Sequence, residues 1–175
     1  TAPGIVESPA YTPRPPRPGA IQAATALLNK SRKPLLVVGW GAHRAGAREA
    51  IIRLADHIGA ALITTVKAKD MFRGHPFDCG VLGSFSNAGG RRLIEQADCV
   101  VAIGAALNQQ TTSYGMALAA ELPVIQVDID RTHIGRWFHA DVAVVGDAKL
   151  AVEHLIAALP PRPPSEMPMR SEENA

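Results

Sequence analysis

The chain has 175 residues, of which 47% are apolar and 19% charged, and its formal net charge is +2. That length suits one domain plus tails, and the small charge, with Lys and Arg spread along the chain, excludes the concentrated basic surface that nucleic acid would require. No apolar run reaches the ~20 residues that span a bilayer, and no basic stretch followed by an apolar one opens the chain, so a soluble, cytoplasmic protein without membrane contacts is expected.

The first eighteen residues, TAPGIVESPAYTPRPPRP, carry six prolines. Proline removes backbone donors and restricts the residue before it, so residues 1–18 read as a proline-rich linker. Ala20 to Leu28 has good helix formers, and Pro34 then breaks the chain before the apolar run Leu35-Leu36-Val37-Val38, a buried strand. Gly39-Trp40-Gly41 turns the chain. Ala47 to Ile58 places Ala47, Ala50, Ile51, Leu54, Ala55 and Ile58 at amphipathic-helix spacing, with Gly59 suited to end the helix in a left-handed conformation. Ala61 to Thr65 is a second strand, and a short apolar piece around Val81 and Leu82 reads as a third.

Gly89 to Ala97 reads as a helix, followed by the strand Cys99-Val100-Val101-Ala102-Ile103 and Gly104. Met116 to Glu121 is read as helical. Val124 to Asp128 and Val142 to Val145 are two further strands, and Ala148 to Leu159 is a closing helix capped by Asp147. The compact region is thus residues 19–159. Residues 160–175, PPRPPSEMPMRSEENA, carry prolines and charges with little apolar surface to offset ordering entropy, and read as a C-terminal linker. A module tethered on both sides, in a chain that begins at Thr1 rather than Met, is expected to come from the middle of a longer polypeptide.

Near-continuous apolar strands separated by helices indicate a parallel sheet covered on both faces, a Rossmann-like three-layer α/β/α domain. Ligands of such sheets bind beyond the carboxyl ends of the strands where strand order reverses. With the order 3-2-1-4-5-6, the flanking loops there are Gly39-Trp40-Gly41-Ala42-His43-Arg44 and Gly104-Ala105-Ala106-Leu107-Asn108-Gln109. Both leave a strand through glycine, which admits either a close ligand or simply a tight turn. The dinucleotide fingerprint is incomplete: Arg44 stands at its third glycine, and Thr64-Thr65 stand where a ribose-binding acid is expected.

Asp128 and Asp130 suit ribose hydroxyls or a hard cation, and equally turn and cap chemistry. The histidines at 43, 57, 75, 133, 139 and 154 show no zinc spacing. Cys79 and Cys99 also lack it and read as reduced thiols. Ser84 and Ser86 lie in VLGSFSNAGG, which is not a nucleophile elbow; the run reads as a loop that contacts a ligand or another domain.

The ordered segments KPLLVVGWGAHRAG, LADHIGA, ALITTVKAKDMFRGHPFDCGVLG, QADCVVAIGAALN, LPVIQVDIDRTHIGR and ADVAVVGDAKLAVEHL resemble the central domain of thiamine-diphosphate-dependent enzymes. That family includes acetolactate synthase, the benzoylformate and pyruvate decarboxylases, oxalyl-CoA decarboxylase and benzaldehyde lyase. The resemblance covers about residues 20–159 and implies a six-stranded parallel sheet of order 3-2-1-4-5-6, the DHS-like NAD/FAD-binding fold. It implies a non-catalytic domain lying between a pyrimidine-binding and a pyrophosphate-binding domain, which hold thiamine diphosphate and Mg2+ in a homo-oligomeric parent.

The family's magnesium motif is Gly-Asp-Gly; here Gly146-Asp147 is followed by Ala148. In acetolactate synthases the central domain cradles FAD, and in oxalyl-CoA decarboxylase it binds ADP. On that pattern Gly39, Trp40 and Gly41 fall on the glycine turn, Thr64 and Thr65 on the strand-end pair, and Leu82 and Gly83 on the flavin-side loop. Gly104 and Ala105 fall on the start of the fourth-strand loop, and Asp128 and Asp147 near the adenosine portion. The sequence departs from the family where acetolactate synthases show G-A-R-F-D-D-R: it has GAALNQQ, without the arginine that contacts the flavin nucleotide. Three readings follow: a scaffold with a vestigial nucleotide cleft, a working FAD or ADP module, and a free-standing NAD-dependent enzyme of sirtuin-like or transhydrogenase-like fold.

Overall fold

The structure is a computed structural model and describes residues 12–171 and residue 174. The sheet has six strands, all parallel: β1 (Pro34–Val38), β2 (Ala61–Thr64), β3 (Asp78–Val81), β4 (Cys99–Ile103), β5 (Val124–Asp128) and β6 (Val142–Val145). They stand in the order β3-β2-β1-β4-β5-β6, as expected. The strands with unbroken apolar runs are the central ones. β1, β2 and β4 are buried at every residue, whereas the edge strands β3 and β6 are only half-buried.

The helices are α1 (Pro18–Leu28), α2 (Trp40–Arg44), α3 (Arg48–Ile58), α4 (Ala88–Gln96) and α5 (Ala148–Ala158). Side chains alternate across a strand, so Leu36 and Val38 enter one core with α1, α2, α3 and α5, while Leu35 and Val37 enter the other. That second core is covered by α4 and by a long loop, residues 104–123, whose Leu107, Leu118 and Leu122 are buried. The two outer layers are therefore unequal in helix content. Burial of Ile51, Leu54 and Ile58 on α3 contributes about 1.5–3 kcal/mol for each side chain.

Helix termini follow local chemistry. α3 ends at Gly59, whose φ of 69° lies in the left-handed region that glycine enters without a Cβ penalty. Asp147 accepts a hydrogen bond from the Leu150 N–H at 2.9 Å and caps α5, as expected. Asn87 caps α4 in the same way through Gly90 N–H at 2.7 Å.

Four expectations are corrected. Met116 to Glu121 is not a helix but a series of turns. Ser113, Tyr114 and Gly115 all have positive φ, and Thr112 Oγ1 accepts from Gly115 N–H, so a tight turn runs directly into this stretch. The third strand begins at Asp78, earlier than Val81 and Leu82, because pairing to β2 rather than apolar content defines it. The Gly39-Trp40-Gly41 turn opens the one-turn helix α2. Pro160 to Ser171 lies against the domain: Met169 is fully buried, Arg162 N–H donates to His57 O, and Arg170 reaches Ala60 O and Asp56. Two methionines supply the apolar anchor that composition alone concealed. The expected N-terminal linker lies outside the described residues as far as position 11; beyond it, Arg14 O accepts from Asp147 N–H and Pro16 is buried.

Candidate functional site

The strand order reverses beside β1, and the loops leaving β1 and β4 meet there. An ideal Cβ on Gly39 would lie 2.2 Å from Gly104 O, and one on Gly104 would lie 2.3 Å from Ala42 N. Gly41 N–H donates to Gly104 O at 3.0 Å, and Gly39 N–H donates to Ile103 O at 3.0 Å. The glycines bring two backbones of the same chain into contact.

Beside that seam lies a cleft of about 260 Å³ bordered by Gly41, Arg44, Ala45, Gly104, Asp128 and Gly146, among others. Its charged groups are Arg44 and Asp128. Asp128 sits at the end of β5 with its side chain mostly buried. Its Oδ1 accepts from Asp130 N–H at 2.9 Å and lies 3.3 Å from His133 Nδ1. The Thr132 hydroxyl and N–H both donate to Asp130 and hold its carboxyl below the ordinary carboxylate range.

Of the residues singled out from sequence, Gly41, Gly104 and Asp128 are brought together at this cleft. The others are placed differently. Gly39 is sealed in the seam, and Trp40 stacks on His43 with ring centroids 4.6 Å apart. Thr64 is buried, its hydroxyl donating to Gly80 O at 3.0 Å, and Thr65 N–H donates to Val38 O. Leu82 and Ala105 are buried in the core. Asp147 directs its carboxylate at the first turn of α5. Gly83, with φ of 90°, borders a second hollow of about 240 Å³ shared with Ser84, Arg91, Glu95, Ser113 and Met116.

Ala45, Ile129, Gly146 and Ala148 also border the cleft without being expected there, and Arg44 ends the flanking loop that the sequence places at this point. Arg44 and Gly146 carried a readable signal, since each follows a strand's carboxyl end by a few residues. One buried polar group also ties the region together: the Gln126 amide, on β5, donates to Ala105 O at 3.3 Å and to His133 O at 3.4 Å, and accepts from Gly135 N–H at 2.9 Å.

Residues 21–155 match the family model described as "Thiamine pyrophosphate enzyme, central domain". The chain belongs to that family. It is 32% identical over 159 residues to a probable acetolactate synthase large subunit of Methanocaldococcus jannaschii, covering 90% of this chain and 27% of that protein. It is 33% identical to an acetolactate synthase large subunit of Mycobacterium tuberculosis, covering 90% and 26%. To one of Corynebacterium glutamicum it is 28% identical, covering 88% and 25%. The chain spans about a quarter of the length of these curated relatives.

The cleft is small, and part of the backbone that borders it is already paired. Ligand pockets for drug-sized molecules commonly have ~300–1,000 Å³, and the cleft falls below that range. Gly41 N–H is taken by Gly104 O. In the loop after β4 Asn108 Oδ1 accepts from Thr111 N–H, so that amide serves its own turn. Among the described residues no group of three or more His, Cys, Asp or Glu side chains gathers in a way that would hold a metal ion, and no helix is long and apolar enough to cross a membrane.

Proposed function

We propose that this central domain is a non-catalytic scaffold in a longer thiamine-diphosphate-dependent enzyme of the acetolactate synthase type, and that its nucleotide cleft is vestigial. The observation that carries this reading is the seam between Gly39, Gly41 and Gly104: the glycines that would let a nucleotide approach are spent on one another. In the parent the domain would hold apart a pyrimidine-binding and a pyrophosphate-binding domain, which would bind thiamine diphosphate and Mg2+ in a cytoplasmic homo-oligomer. The reaction class is the making or breaking of a carbon–carbon bond beside a carbonyl, with the cofactor as electron sink.

Arg44 at the cleft favours a second reading, a working FAD or ADP module, because charge-assisted hydrogen bonds to a phosphate are roughly twice as strong as neutral ones. Calorimetric titration of the 175-residue chain with FAD, ADP, NAD and thiamine diphosphate plus Mg2+ separates the two. Scaffold function predicts no saturable binding by any of them. Saturable FAD or ADP binding, lost in Arg44→Ala, would establish the second reading, and binding of thiamine diphosphate would overturn the assignment of that cofactor to sister domains.

A further inference from the structure

Among the described residues, most of the large apolar side chains left in water, Trp137 apart, lie on segments that follow a strand's carboxyl end. Trp40 follows β1, Val66 follows β2, Phe85 follows β3, Tyr114 and Met116 follow β4, and Ile129 follows β5; all are exposed. They collect where the strands end at their carboxyl termini. At the opposite end, the segment from Pro160 to Ser171 packs beside the start of β2, with Met169 buried and Met167 packed on Gly59.

The touching loops after β3 and β4 carry three of these side chains and make a ledge. Phe85, Tyr114 and Met116 are 73%, 75% and 81% exposed, so each shows water most of its large side chain. Their loops are joined: Ser84 Oγ lies 3.0 Å from Ser113 Oγ, and Gly83 approaches so closely that a Cβ would lie 2.6 Å from Thr111 O. The backbone is held out of its usual regions at Ser113 and Tyr114, with φ of 49° and 59°. Tyr114 N–H donates to Gln109 O at 2.7 Å, Gly115 N–H to Thr112 Oγ1 and the Ser86 hydroxyl to Val81 O, so the ledge is braced before anything meets it. Arg91 and Glu95 give the neighbouring hollow a charged rim.

We propose that Phe85, Tyr114 and Met116 are a docking ledge for another domain of the same polypeptide, which presents an apolar protein surface to them. The occupant follows from length: about three quarters of each curated relative lies outside the region that this chain matches, and the family model describes a central domain. An apolar core with a charged rim is the anatomy of a protein–protein contact. This inference rests on the scaffold reading, since it requires a longer parent.

Hydroxyl-radical labelling with peptide mass spectrometry tests it on the 175-residue chain and on the longer polypeptide. In the isolated chain Phe85, Tyr114 and Met116 label freely. In the longer polypeptide labelling at Tyr114 and Met116 falls at least five-fold, while Trp137, exposed on the connection from β5 to β6, labels equally in both. Equal labelling of the ledge in both overturns the proposal. Protection that grows with concentration in the isolated chain assigns the ledge to a second copy and also overturns it. Titrating thiamine diphosphate into the same longer polypeptide separates the two readings: binding with an unprotected ledge sinks the ledge alone, and protection without binding sinks the thiamine assignment and leaves the ledge standing.

Discussion

The Gly39 α-carbon and the Gly104 carbonyl oxygen are so close that a Cβ at position 39 would lie 2.2 Å from that oxygen and 2.5 Å from Ala105 Cα. The φ of Gly39 is −111°, which any residue adopts, so the demand for glycine here is steric rather than conformational. Gly39→Ala is therefore expected to destabilise the isolated domain by about 1–3 kcal/mol, the usual cost of overpacking. Urea denaturation checks it. A glycine kept for a ligand alone would leave the ligand-free midpoint unchanged.

Gly59 answers two demands at once, a left-handed φ of 69° and a Cβ position 2.4 Å from Met167 Cγ. Gly59→Ala is expected to cost about 1–2 kcal/mol from the left-handed backbone alone, and more while Met167 is present. The double-mutant cycle with Met167→Ala measures the second part, and a coupling energy of zero would show that the C-terminal segment does not pack there in solution.

Met169 is fully buried although it lies in a proline-rich, charged stretch. Met169→Ala is expected to lower stability by about 2–5 kcal/mol. Deleting residues 160–175 is expected to expose the Ala60 and His57 carbonyls that Arg170 and Arg162 now cover, and to speed hydrogen exchange at the start of β2. An unchanged exchange pattern would mean that the segment behaves as a plain linker.

Burial pushes the thiols of Cys79 and Cys99 up to about 12 from an ordinary 9.0, helped by Asp78 beside the first and Asp98 beside the second. Both are then inert to iodoacetamide at pH 8 until the domain unfolds, which mass spectrometry of pulse-labelled protein reads. The sign for stability follows from proton uptake: between pH 9 and about 12 the folded thiols keep protons that the unfolded ones lose, so stability is full below pH 9 and falls as pH rises through that window. Replacing both cysteines with alanine removes this alkaline slope at those two sites.

The sheet was legible because its signal is local. Leu35 to Val38 is apolar at every position and lies between a proline and a glycine, a pattern that a two-sided buried strand produces and few other elements do. Asp147 and Gly59 declared their helix ends through chemistry that a single residue carries. What escaped depends on distant partners. β3 exists because Leu62 and Thr64 offer it a neighbour, not because Asp-Cys-Gly-Val favours extension. The burial of Met169 needs the hollow between Ala60 and Gln96, which a linear reading does not contain. Gly41, Gly104 and Asp128 border one cleft at the carboxyl end of the sheet, whereas Thr64 and Asp147 are engaged in structural hydrogen bonds that no motif records.

The Gln126 amide binds Ala105 O, His133 O and Gly135 N–H, so the loop after β4 and the loop after β5 share one buried knot. Parting those loops would strand buried donors and acceptors, each at a cost of about 1–3 kcal/mol. The loops at the carboxyl ends of β4 and β5 are thus held to one another. Displacing one of these two loops would therefore drag the other with it.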